Sequence, residues 1–253
     1  VFTMSSMVEL KNITISYHSI SGETNAVSDL SFSVEQGEFV CIVGPSGCGK
    51  SSILSMLAGL IKPSSGSFHI HSKTNIGYML QKDYLLEWRN IRSNACLGLE
   101  IQNKLTSENI QRVDELLELY GLGDFKSHMP YQLSGGMRQR AALIRTLAVQ
   151  PDVLLLDEPF SALDYQTRLY VSDEIGTIIR KEKKTAILVS HDISEAISLS
   201  DRVIVLSHRP ATLKSIHNIN LSIDERTPMR AREAPEFKDY FNQIWKELDV
   251  HVS

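Results

Sequence analysis

Gly44-Pro45-Ser46-Gly47-Cys48-Gly49-Lys50-Ser51-Ser52 is the stretch on which the reading of this chain turns. Its spacing is that of a phosphate-binding loop, G-x-x-x-x-G-K-[ST], without a mismatch. Ahead of it, Glu38-Phe-Val-Cys-Ile-Val43 is a short apolar run suited to a buried strand. Behind it, Ser52 to Ala58 has helical spacing and stops at Gly59. Strand, glycine loop and helix are the context the motif needs. Without them the same residues would be a glycine turn with a solvated lysine.

The residue types explain the chemistry. Glycines let successive backbone N–H groups turn inward around phosphate oxygens, where a Cβ would obstruct. The loop opens a helix N-terminus, whose partial positive charge favours anions. Lys50 reaches the β- and γ-phosphates of a nucleotide, and the Ser51 hydroxyl is a ligand for Mg²⁺. Cys48 lies beside Lys50 and the helix N-terminus. Both lower a thiol pKa, so Cys48 is expected to alkylate readily and to be protected by ATP.

Composition narrows the class. The chain has 253 residues, 42 % of them apolar, enough for one large α/β domain with a real core. The net charge of −4 gives no pull towards nucleic acid or anionic lipid. Cys41, Cys48 and Cys96 show neither metal-ligand nor disulfide spacing, which suits a reducing compartment. No apolar run approaches the ~18 residues that span a bilayer, so a soluble chain is expected.

From the N-terminus, residues 1–7 read as a loose end. Val8 to Tyr17 and Val27 to Val34 read as antiparallel strands joined by a polar loop at 18–25. Tyr17, at the strand end, either stacks on a base or simply packs. Ser67–Ile70 and Ile76–Met79 are further strands. Gln81 closes the second, either to reach a cation or an attacking water, or as a polar cap. From there to Pro130 strand signals are missing, and Thr106 to Tyr120 is an amphipathic helix ending at Gly121. A helical subdomain, about 82–150, is therefore expected within the α/β core.

Leu133-Ser134-Gly135-Gly136-Met137 precedes good helix sequence, Arg138 to Ala148, and is either a second anion site or an ordinary turn. Val153-Leu-Leu-Leu-Asp157-Glu158 is an apolar strand ending in two carboxylates. Parallel strands present such ends to a ligand crevice. Asp157 is placed to hold Mg²⁺ and Glu158 to polarise a water against the γ-phosphate; the plain alternative is an acidic strand end in solvent. Asp164 is an N-cap for a helix running to about Lys181. Thr185 to Ser190 is a strand with His191 at its end, either a γ-phosphate contact or structural, and Asp192 with Glu195 has capping-box spacing. Arg202–Leu206 is the last core strand, with an edge hairpin at 213–221. Residues 224–234 read as a charged linker. Glu236 to Leu248 then forms an aromatic amphipathic helix that packs back on the domain or meets a partner.

In this order, the phosphate loop, Gln81, Leu-Ser-Gly-Gly-Met, Leu-Leu-Leu-Asp-Glu, Ser-Ala-Leu-Asp and His191 closely resemble the ATP-binding subunit of ABC transporters, over about residues 8–220. The resemblance implies a phosphate-loop NTPase core with a parallel sheet, an N-terminal antiparallel β subdomain and an inserted helical subdomain. It implies an ATPase domain at 8–222, followed by the linker and helix at 223–253. It also implies ATP and Mg²⁺ as cofactors. Tyr17 looks like the adenine-stacking aromatic, and Gly44, Pro45, Ser46, Gly47, Cys48, Gly49, Lys50, Ser51 and Ser52 like the phosphate cradle. Gln81 looks like the residue that senses Mg²⁺ and couples to a membrane subunit. Ser134, Gly135 and Gly136 resemble the signature that binds the γ-phosphate held by a second copy. Asp157, Glu158, Asp164 and His191 match the metal, general-base, dimer-interface and switch positions, with Lys50, Gln81, Glu158 and His191 as the catalytic set. Two departures are Met137 in place of a common glutamine and Ser52 in place of a common threonine; neither removes a named ligand.

The resemblance further implies a head-to-tail homodimer with two sandwiched ATPs. That dimer would dock on a transmembrane permease subunit at the cytoplasmic membrane face, with a solute-binding protein upstream and no nucleic acid. Leu85-Leu86-Glu87-Trp88 resembles importers of nitrate, sulfonate and taurine. A soluble ATPase of the same family, serving cluster assembly or repair, is the alternative, and membrane association discriminates the two.

Overall fold

The computed structural model describes residues 6–19, 22–71, 74–161, 163–223 and 226–248. Residues 1–5 of the expected loose end at 1–7, Ala162 of the Ser-Ala-Leu-Asp motif, Asp224 and Glu225 of the expected linker, and residues 249–253 lie outside them; Ser6 and Met7 are not loose but open the first strand, with Met7 buried.

Two sheets organise these residues. The larger has six strands in the order β5 (Ile76–Met79), β6 (Val153–Asp157), β7 (Thr185–Val189), β3 (Phe39–Val43), β8 (Arg202–Leu206) and β9 (Leu213–Asn218). β5 to β8 are parallel throughout and β9 returns antiparallel at the edge. The smaller is antiparallel, β2 (Gly22–Glu35), β1 (Ser6–Ser19) and β4 (Ser65–Ile70).

β3, β6 and β7 are buried at every position. A parallel strand covered on both faces needs no polar alternation, which is why these strands read as continuous apolar runs. The pleat still sorts their side chains. Phe39, Cys41, Leu154, Leu156 and Leu188 join the core on one face; Val40, Ile42, Val153, Leu155 and Ile187 join the core on the other. Each fully buried aliphatic side chain stabilises by roughly 1.5–3 kcal/mol. α1 (Lys50–Leu57) and the small sheet cover the second face.

The first face carries most of the helices. α2 (Ile91–Ala95), α3 (Leu97–Ile101), α4 (Ser107–Leu119) and α5 (Gly135–Ala148) follow one another between β5 and β6. Val113, Leu117 and Tyr120 seal α4 to this core, as its stripe predicts. Thr106 caps α4 by accepting the Asn109 N–H. α6 (Tyr165–Lys181), α7 (Ile193–Leu199), α8 (Pro228–Ala231) and α9 (Phe237–Leu248) complete the chain.

Three local expectations change. The polar stretch at 18–25 is not wholly loop: strand pairing runs to Ser19↔Gly22, and the Ser16 hydroxyl donates to Asn25 Oδ1 at 2.6 Å. This hairpin end buries little, so no hydrophobic alternation announces it. α1 starts at Lys50 and α5 at Gly135, earlier than apolar spacing indicated, because their first turns hold mainly polar and glycine residues that show no apolar period. Finally, residues 226–234 are not an open linker. They contain α8, with Ala231 and Ala234 buried, and the Arg226 guanidinium donates to the carbonyls of Ile197 and Ser200 at the end of α7.

Candidate nucleotide site

Four adjacent parallel strands build the site because all four end on one edge of the sheet. β3 releases the chain into the glycine loop, β5 ends two residues before Gln81, β6 ends at Asp157, and β7 ends two residues before His191. With strands about 4.8 Å apart, these four ends span one nucleotide-sized edge. The cleft there has a volume of about 590 Å³, lined by the phosphate loop together with Tyr17, Gln81, Glu158 and His191.

The loop backbone demands glycine. Gly47 and Gly49 have φ of +72° and +126°, and a Cβ on Gly49 would lie 2.7 Å from the Ala26 carbonyl oxygen. Gly49 also caps α1 with no side-chain hydrogen bond, while its carbonyl accepts the Ser52 N–H at 3.0 Å; a helix opening of this kind suits an anion. Lys50 is buried, and its Nζ donates to the carbonyls of Gly44 at 2.7 Å and Pro45 at 2.9 Å. Those two bonds fix the ammonium over the loop and leave its third proton for a phosphate oxygen.

Ser51 Oγ donates to Asp157 Oδ1 at 3.0 Å, so the two residues that motif chemistry assigns to a cation meet across α1 and β6. Burial pushes the Asp157 carboxyl above its ordinary pKa, against the Ser51 bond, and the neighbouring Glu158 adds to the rise. A buried acid with a hydroxyl beside it fits a divalent cation, and both groups offer the hard oxygens Mg²⁺ prefers.

Glu158 collects the rest. Its φ is +47°, a left-handed backbone at a non-glycine residue, held by its N–H bond to the Val189 carbonyl at 3.0 Å. Gln81 Nε2 donates to Glu158 Oε2 at 3.0 Å, and His191 Nδ1 lies 3.4 Å from the same oxygen. Tyr17 stands at the cleft mouth, its hydroxyl donating to Ser52 Oγ at 2.9 Å, with much of the ring exposed.

The signature residues lie elsewhere. Gly135 lines a separate depression with Gln81, Asp83 and Arg138. Ser134 caps α5 by accepting the Met137 N–H at 3.3 Å. Arg138 forks onto Asp83, with two bonds of 3.0 Å, and reaches Glu87 at 2.8 Å. Burial alone would raise the Asp83 carboxyl, but that guanidinium outweighs it and holds the pKa down. Asp164 caps α6, accepting the Thr167 N–H at 3.0 Å, and does not line the cleft. Within one chain, then, the phosphate loop and the Ser134-Gly-Gly segment do not share a cavity.

The expectation for Cys48 is overturned. Cys48 is 1 % exposed, and burial raises its thiol pKa despite Lys50 nearby. Proximity to a cation does not activate a thiol that is out of reach of water and reagent. Two cleft-lining residues, Ala26 and Arg209, and one neighbour of the site, Gln139, carry no motif in the sequence. Ala26 and Arg209 line the cleft because β2 and the segment before β9 bridge at Val27↔Ala211, a pairing without a motif. Gln139 donates to the Glu158 carbonyl at 3.3 Å, although its place in the helix after the glycines could have suggested it.

Comparison with known proteins agrees with this architecture. A family description, "ABC transporter", matches residues 27–161. The ABC transporter ATP-binding protein YtlC of Bacillus subtilis is 46 % identical over 250 residues, covering 96 % of each chain. The nitrate import ATP-binding protein NrtD of Synechocystis is 37 % identical over 88 % of both chains. The taurine import ATP-binding protein TauB of Jannaschia is 36 % identical, covering 88 % of this chain and 86 % of that one. Among solved structures, the dimeric post-hydrolysis ATP-binding cassette MJ0796 with ADP and Pi superposes with a TM-score of 0.77 at 29 % identity, covering 85 % of this chain and 99 % of that one.

Proposed function

Since this chain belongs to the ABC transporter ATP-binding proteins, we propose that it is the Mg²⁺-dependent ATPase of an importer for a small solute of the nitrate, sulfonate or taurine kind. The observation that carries the ATPase reading is the convergence of Gln81 and His191 on one oxygen of Glu158, beside the Ser51–Asp157 pair.

In this reading the phosphates of ATP lie on the α1 N-terminus under Lys50, and adenine stacks on Tyr17. Ser51 and Asp157, with Gln81 at the rim, hold Mg²⁺, which when bound neutralises charge on the phosphate oxygens. Glu158 takes the proton of the attacking water, and Gln81 and His191 keep its carboxylate aimed at the γ-phosphate. Ser134, Gly135 and Gly136 have no phosphate within their own chain, so a second copy, packed head to tail, supplies one. The Asp164 turn lies at that interface. Closure then excludes water from the reacting centre.

Coupling to a membrane subunit is supported by the surface next to Gln81. Tyr84 and Trp88 are both largely exposed there, on a stretch held to α5 by Arg138. The solute class rests on relatives named for nitrate and taurine import. No described helix is long and apolar enough to cross a membrane. In this reading the chain meets the cytoplasmic membrane face by docking on the permease subunit.

Glu158→Gln tests the chemistry. ATP binding is expected to persist, turnover to fall by about 10³-fold, and an ATP-bound dimer to accumulate on size exclusion. Turnover near that of the unmodified chain would remove Glu158 from its role. Affinity capture from detergent-solubilised host membranes tests the coupling: an equimolar multi-span subunit is expected, and recovery of soluble proteins alone would overturn the importer reading while leaving the ATPase.

A further inference from the structure

The sequence reading pairs Asp192 with Glu195 as a capping box, in which the glutamate would accept the Asp192 N–H directly. The structure differs. Asp192 caps α7 through its own carboxylate, accepting the N–H groups of Ser194 at 2.8 Å and Glu195 at 3.2 Å. Its backbone N–H, however, donates to Ser190 Oγ at 3.0 Å, and it is that hydroxyl which donates to the Glu195 carboxylate. A serine side chain is thus inserted into the motif, and Glu195, 8 % exposed, is left as a buried acid that N-capping does not explain.

The inserted serine lies immediately before His191. Ser190 is 2 % exposed, and its N–H is bonded to the Ile42 carbonyl of β3 at 3.2 Å. The residues on both sides of His191 are therefore held by one hydroxyl, and the hydroxyl is held by Glu195. Glu158, His191 and Glu195 also line one small cavity. We propose that Glu195 is a positioning residue for hydrolysis: through the Ser190 hydroxyl it fixes the turn that presents His191 to Glu158. This rests on the reading of Glu158 and His191 as the hydrolytic pair.

The surroundings make the acid responsive. Facing it are Asp192 on its own helix, Arg168 from α6, Glu158 at the end of β6 and the Cys41 thiol of β3. Arg168 lies 3.6 Å from Asp192 and offsets part of the local negative charge. Burial pushes the Glu195 carboxyl up to about 7, the Ser190 bond opposes this, and Asp192 and Glu158 add to the rise. An ionised carboxylate is the stronger acceptor for a hydroxyl. The turn is therefore held most firmly above pH 7 and loosens as the acid protonates below it.

The test uses the full chain and steady-state ATPase assays with Mg²⁺. Glu195→Ala and Ser190→Ala are each expected to lower kcat by about tenfold with the ATP Kd unchanged, since either removes one side of a buried hydrogen bond. The double variant should lose no more than either single one, because both act through one contact. Glu195→Gln keeps an acceptor for the Ser190 hydroxyl and should stay within about threefold of the parent. Its kcat should also lack the rise through about pH 7 that Glu195 imposes on the parent profile. Losses that multiply in the double variant, an unchanged kcat in the single ones, or a retained pH-7 inflection in Glu195→Gln would overturn the inference. Unfolding shows as loss of ATP binding, and in that event the Glu195→Gln profile alone decides. If Glu158→Gln also turned over normally, the underlying reading would be at fault; a dead Glu158→Gln beside unaffected Glu195 variants would sink only the positioning role.

Discussion

Two helices in this protein open at glycines, Gly49 as the cap of α1 and Gly135 as the first residue of α5, and they are finished differently. α1 starts at Gly49, which offers no side chain to its first turn. α5 starts after Ser134, whose hydroxyl already takes the Met137 N–H. Lys50 is drawn into the phosphate loop by two loop carbonyls, whereas the cation at the start of α5, Arg138, is spent on Asp83 and Glu87. α1 thus opens onto the cleft with Lys50 over it and the ends of β5, β6 and β7 around it. α5 is a self-capped helix with one exposed serine. A glycine-rich helix start alone does not make a phosphate site within its own chain; what matters is which groups the fold brings to that N-terminus.

The contrast can be broken at three places. Lys50→Ala removes the fixed cation and should weaken ATP binding by about 100-fold in a fluorescence titration, in keeping with charge-assisted bonds of 1.5–3 kcal/mol. An unchanged affinity would mean that α1 binds phosphate without its lysine. Gly49→Ala forces a Cβ into the Ala26 carbonyl at a left-handed φ, and should cost about 1–3 kcal/mol in denaturant unfolding. Ser134→Ala removes only a long cap bond and should cost about 0.5–1 kcal/mol, a small drop in Tm. If its ATPase activity falls far more than its stability, the hydroxyl meets a phosphate from outside the chain; matched losses would leave Ser134 as a cap.

Much of the site was legible in the sequence because each of its groups stands at the end of an apolar strand run. Gly44, Gln81, Asp157 and His191 converge because β3, β5, β6 and β7 are adjacent and parallel; strand–helix alternation points to the parallel arrangement, while the strand order is a property of the fold. What escaped depends on contacts that no local pattern encodes. Cys48 was misread because Lys50 and the helix start are local, while the burial that silences the thiol comes from the folded loop and its neighbours. Arg209 reaches the cleft through a bridge between segments far apart in sequence. Arg226 looked like a solvated linker charge. In the fold it is half-buried, and desolvation lowers its pKa to about 10 while its guanidinium serves the carbonyls of Ile197 and Ser200. Glu195 was seen and given too simple a partner, since spacing cannot show a serine side chain entering the turn.

That arginine bears on where the protein can be cut. α7 is held at its first turn by Asp192, next to His191, and its last carbonyls are served by Arg226. A construction boundary drawn at the end of the recognisable motifs, near residue 222, would discard the arginine and return those carbonyls to water. The shortest piece that contains every motif is therefore not the shortest piece that keeps the motifs in place.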